Sequence, residues 1–101
     1  MGFVATTLRM TAGILVWAVH FGAIYGFTSL ACARGAAALV PGAVVAAGVV
    51  AVAVLAVALA PAWCARRAGG FADRIALGLG GFALVAIAFE TLAALMVPAC
   101  A

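Results

Sequence analysis

The sequence predicts an all-α integral membrane protein with three transmembrane helices and a cytoplasmic N-terminus. Three observations predict it. Of 101 residues, 71% are hydrophobic and only 7% charged. The apolar residues fall into three runs, each long enough to cross a bilayer, and the charges gather at the ends of those runs. A soluble domain of this length needs a polar surface that so few charges do not supply.

The first span is residues 10–33. It follows Arg9, and at about 1.5 Å per residue it covers the roughly 30 Å hydrocarbon core of a bilayer. The second span, residues 36–64, has Pro41 where a first helical turn accepts proline, and Pro61 and Trp63 near the far interface. Arg66 and Arg67 stop it, and Gly69 and Gly70 turn the chain. Asp73 and Arg74 lie at the surface, and the third span, residues 75–97, ends at Pro98. Residues 1–101 thus form a single transmembrane domain with no soluble part.

Arg9, Arg66, Arg67 and Arg74 fall on the N-terminal side of the membrane and Arg34 alone on the other, which sets the N-terminus in the cytoplasm. The net charge of +3 is therefore topological. A nucleic-acid binder needs a basic face that this chain lacks. Ala31-Cys32-Ala33 looks like a signal-peptide cleavage site, and Ser29 to Cys32 faintly like a lipoprotein box. The apolar run exceeds a signal-peptide core of about 7–15 residues, and Ser29 stands where such a box has leucine, so the span is expected to be retained.

Cys32 follows the first span and Cys100 the third, both on the non-cytoplasmic side. A disulfide between them would persist in a bacterial periplasm and tie the ends of two helices. The alternative is two unpaired cysteines acting as small apolar residues. Cys64 lies on the cytoplasmic side and stays reduced. Three scattered cysteines and one histidine lack metal-ligand spacing.

Two ionisable residues lie inside spans, His20 and Glu90, and each costs at least about 2.5 kcal/mol in hydrocarbon unless it finds a partner. Counted back from Cys32 and Cys100, their depths differ by about 3 Å. They are expected to meet as a buried polar pair that fixes helix register. A proton relay would look the same. His20 as a haem or chlorin ligand is a third reading, with Met10, Met96 or a partner's residue as the second axial ligand, and Glu90 facing a larger partner is a fourth.

For packing, the first span offers Gly22 and Gly26 as a GxxxG pair, and the third offers Gly78, Gly80 and Gly81. The two groups lie at different depths, so each is expected to meet a different neighbour. The second span, nearly all alanine and valine around Gly48, reads as structural or lipid-facing. Trp17, Tyr25 and Thr28 are candidates to line one crevice with His20, a buried Tyr25 hydroxyl needing a partner.

Trp17-Ala18-Val19-His20, Tyr25, Leu30-Ala31-Cys32-Ala33-Arg34 and the ending Leu95-Met96-Val97-Pro98-Ala99-Cys100 resemble a known group. It comprises the small three-helix membrane proteins found beside genes for caa3-type and related haem–copper oxidases of proteobacteria. The likeness covers both ends of the chain. It implies an accessory or assembly subunit of a terminal oxidase and assigns no chemistry to His20.

No nucleophile–base set, phosphate loop or metal cluster is present, so no enzyme is expected. The leading expectation is a non-catalytic accessory subunit of a respiratory complex in the bacterial inner membrane. It has no cofactor of its own, any haem residing in a partner subunit. The alternatives are a self-associating transporter or pore using Glu90 and a pigment-protein accessory subunit resting on His20. A holin-like lesion former fits the size but is expected to carry a charged tail.

Overall fold

The computed structural model describes residues 2–100, and among them the chain is all-helical. Helix α1 is Phe3–Met10 and α2 is Ala12–Ala33. A short 3-10 turn, Ala37–Leu39, leads into α3, Val40–Cys64, and α4 is Phe71–Met96. The stretches Phe3–Ala33, Ala37–Cys64 and Phe71–Met96 are long and apolar enough to cross a membrane. They lie side by side in a rod of 51 × 23 × 16 Å, with α2, α3 and α4 each packed on the other two.

The helix ends follow local chemistry. Thr7 and Thr11 each turn their hydroxyl back to donate to the carbonyl four residues earlier, Phe3 and Thr7. Such back-bonding bends helices, and the break between α1 and α2 falls at Thr11. Helix α2 closes in a Schellman motif: Ala36 N–H donates to Ala31 C=O, Gly35 N–H donates to Cys32 C=O, and Gly35 adopts φ +71°, a conformation open to glycine at little cost. Pro41 sits in the first turn of α3 as its sequence position requires.

Two boundaries differ from expectation. The first helical stretch begins at Phe3 rather than residue 10, and the last begins at Phe71 rather than 75. Charged residues mark where a helix meets polar surroundings, and they need not end the helix. Asp73 stands in the first turn of α4, where a negative charge favours the helix dipole.

The core is a seam of small and branched residues. Val40, Val44, Gly48, Ala51, Leu55 and Ala62 form the buried stripe of α3. This helix is therefore the spine of the bundle as well as a lipid-facing span. One apolar cluster joins Ile24, Ala31, Val40 and Val44, and a second joins Ala51, Leu55, Ala83 and Ile87.

Of the glycines expected to allow close packing, Gly80 alone meets a neighbouring helix of this chain. Around Gly22, Gly26, Gly78 and Gly81 a Cβ atom would meet nothing within 4 Å. All four point away from neighbouring helices of this chain. The close approach is instead at Gly13 and Gly80: a Cβ on Gly13 would stand 2.7 Å from Gly80 Cα and 2.9 Å from the Leu79 carbonyl oxygen. The GxxxG spacing identifies a smooth helix face but not which neighbour uses it.

Gly13→Ala is expected to force α2 and α4 apart and to cost about 1–3 kcal/mol, the usual range for overpacking. Gly22→Ala, in open space, should change stability by no more than about 0.5 kcal/mol. Reversible denaturation in mixed micelles followed by circular dichroism checks both, and equal effects would contradict the placement of the contact.

Candidate functional site

Among the described residues, His20 is the one buried polar or charged residue of the core, 4% exposed. Its Nδ1 lies 3.5 Å from Glu90 Oε2. The separation is longer than a good hydrogen bond and sets the two polar groups side by side across the α2–α4 contact. The side chain of Glu90 retains 14% exposure and that of His20 only 1%. Both ring nitrogens of His20, both carboxylate oxygens of Glu90 and the hydroxyl oxygen of Thr91 are buried without a hydrogen-bond partner.

These groups form one layer. Along α2, His20 falls between Trp17 and Ile24, which belong to the two apolar clusters. Along α4, Glu90 and Thr91 fall between Ile87 and Ala94, and along α3, Gly48 falls between Val44 and Ala51. A Cβ on Gly48 would lie 3.1 Å from Thr91 Oγ1, so the absent side chain of α3 makes room for the hydroxyl of α4. A polar stratum thus separates an upper and a lower apolar core.

The layer borders two openings. On one side, His20 faces a groove of about 380 Å³ between α2 and α3, walled by Val16, Val19, Val50 and Val54. On the other, Glu90 lines a crevice of about 550 Å³ between α2 and α4, with Tyr25, Thr28, Phe89, Val97 and Pro98. The four candidates do not share one crevice. Tyr25 and Thr28 stand with Glu90, His20 borders the valine groove, and Trp17 lines a third pocket with Ile14 and Phe82. Helical rotation explains the separation, since His20 and Tyr25, five residues apart, point roughly 140° apart at 3.6 residues per turn. Trp17, Phe21 and Tyr25 instead form a ladder along α2, with ring centroids 5.5 and 4.5 Å apart.

Both ends of the bundle are fastened. At one end Cys32 and Cys100 stand at disulfide distance with Cα atoms 5.6 Å apart, and Cys64 is free and exposed at the opposite end. At that opposite end Arg9 of α1 forms an ion pair with Asp73 of α4. The Arg9–Asp73 pair was not expected from sequence, although a signal was present: apart from Glu90, Asp73 is the chain's one acidic residue, and it stands at the same edge as Arg9. Arg66 lies 4.2 Å from the centre of the Trp63 ring and donates to the Trp63 carbonyl. Among the described residues no three His, Cys, Asp or Glu side chains converge as a metal site.

No protein-family model, curated protein or solved structure matches this chain. What defines the site is therefore its own geometry.

Two outcomes follow. His20→Leu and Glu90→Leu should each cost about 1–3 kcal/mol by stranding the other group. The double variant should cost clearly less than the sum, as a double-mutant cycle in micelles would read; additive losses would mean that the groups do not interact. Alkylation of the denatured chain should label one cysteine before reduction and all three after it, read as mass increments. Three labels without reductant would contradict the Cys32–Cys100 bond.

Proposed function

We propose that this chain is a non-catalytic, multi-pass accessory subunit of a larger complex in the bacterial inner membrane, its N-terminus cytoplasmic. The observation that carries this reading is the division of labour between the inside and the outside of the bundle. The ionisable pair is turned inward and engaged within the chain, while Gly22, Gly26, Gly78 and Gly81 leave smooth strips on the outside. Small-residue strips allow another protein's helix to approach closely in lipid, where apolar surface alone gives no drive to associate.

Orientation is supported by the four arginines gathered at the end where Arg9 pairs with Asp73, with the cysteine pair at the other. Basic residues favour the cytoplasmic side and disulfides an oxidising one. The resemblance of the first span and the last residues to proteins encoded beside haem–copper oxidases makes a terminal oxidase the first partner to test, with any haem held by that partner.

The competing readings ask more of the geometry. A pore built from several copies needs Glu90 facing its neighbours, whereas its carboxylate is directed to His20 of the same chain. Ligation of haem or a pigment by His20 needs an accessible ring nitrogen, and both are buried.

Mild-detergent extraction, native gel separation and an optical spectrum of the band containing this chain test the reading. Migration in a large complex with haem absorbance is expected. A small, colourless, self-associated band would contradict it and favour the pore.

A further inference from the structure

The arginine-bearing end of the bundle holds charge that the chain does not balance. Arg66 and Arg67 stand in the turn between α3 and α4, Arg74 stands near the start of α4, and all three are exposed. The sequence has two acidic residues: Asp73 is engaged by Arg9, and Glu90 faces His20 inside the bundle. Among the described residues, no carboxylate side chain is left for Arg66, Arg67 or Arg74. Unbalanced guanidinium groups at the edge of an apolar bundle call for an anion from outside, and phosphate oxygens suit their planar N–H donors.

The surroundings select the source of that phosphate. Trp63, in the last turn of α3, and Phe71, the first residue of α4, are exposed on either side of the turn. Aromatic rings at such an edge lie at headgroup level beside the upper acyl chains, and a free phosphate ion would leave them uncovered. Arg66 is already held: its guanidinium carbon lies 4.2 Å from the centre of the Trp63 ring, and Nη1 donates to the Trp63 carbonyl oxygen. Its other N–H donors have no partner among the described residues, so a ligand meets a side chain with less freedom to lose. A zwitterionic headgroup brings its own ammonium group and leaves the excess charge unbalanced, whereas an anionic phospholipid offsets it.

We propose that the turn between α3 and α4 is a binding site for an anionic phospholipid. Arg66 takes its phosphate, Arg67 and Arg74 add positive potential, and its acyl chains lie beside Trp63 and Phe71. This inference concerns a ligand of the chain itself and does not depend on which larger complex, if any, the chain joins.

The sequence has two tryptophans, so Trp17→Phe leaves Trp63 as a single fluorescent reporter beside the site. The full chain carrying this substitution is reconstituted in phosphatidylcholine vesicles. A fraction of the lipid is replaced by phosphatidylglycerol or by phosphatidylcholine with chains brominated near the headgroup, which quench the indole on contact. At physiological ionic strength phosphatidylglycerol should associate at Trp63 at least about fivefold more strongly than phosphatidylcholine, the effect of one arginine near an anionic headgroup. Replacing the three arginines together, Arg66→Gln, Arg67→Gln and Arg74→Gln, should bring the ratio to about one. Because the ratio compares two lipids on one variant, a changed Trp63 emission does not alter it. Equal quenching by the two lipids before the arginines are replaced would overturn the proposal and leave the charges to an acidic segment of a partner protein. A preference that survives the triple replacement would overturn it too. So would a preference abolished by millimolar inorganic phosphate at constant ionic strength, which would show a site for the free ion.

Discussion

An ionisable side chain inside an apolar bundle has nowhere to turn except to another polar group of the same bundle, and that constraint organises this molecule. His20 on α2 is met by Glu90 on α4. The meeting fixes the rotation of both helices about their axes and their relative height. Once α2 and α4 are set in this way, α3 has to complete the layer without adding bulk, and Gly48 opposite Thr91 does so. The apolar clusters above and below then fall into place as ordinary packing of alanine, valine, leucine and isoleucine. In lipid such packing stabilises through contact rather than through exclusion of water, so the polar layer supplies register that the smooth apolar faces do not.

The two fastenings at the ends act on the same pair of helical rods. Arg9–Asp73 joins the first rod to the start of α4, and Cys32 with Cys100 joins the end of α2 to the residues just beyond α4. Polar layer, ion pair and disulfide are thus three ties between the first and third spans at three heights. Helix α3 is tied to neither by charge or covalent bond, and it is retained by the burial of its long stripe from Val40 to Ala62.

Much of this was legible in the sequence. Three apolar runs gave three helices because length and composition decide what can lie in lipid. The expectation that His20 and Glu90 lie at similar depth required only residue counting from the two cysteines, and their 3.5 Å separation agrees with that counting. What escaped was rotational and pairwise. Gly80 stands in the conspicuous run Gly78-Leu79-Gly80-Gly81, but Gly13 carries no motif spacing, and that these two meet depends on how two helices cross. The sharing of a crevice by Tyr25, Thr28 and Glu90, without His20 or Trp17, depends on angular position around α2, which a list of nearby polar residues does not convey. The helical stretches begin ahead of Arg9 and of Asp73 because charge marks the edge of the apolar environment and does not end a helix.

The chain contains one histidine, and its two acidic residues are one aspartate and one glutamate, so residue-type isotope labelling addresses His20 and Glu90 without mutation. Solid-state NMR on the chain in lipid bilayers, with ¹⁵N in the imidazole and ¹³C in the glutamate carboxyl carbon, measures the dipolar coupling between them. A weak but measurable coupling, as contact near 3.5 Å between Nδ1 and Oε2 demands, is the predicted result. No measurable coupling, with the imidazole exchanging freely with water, would contradict the polar layer and with it the bundle described above.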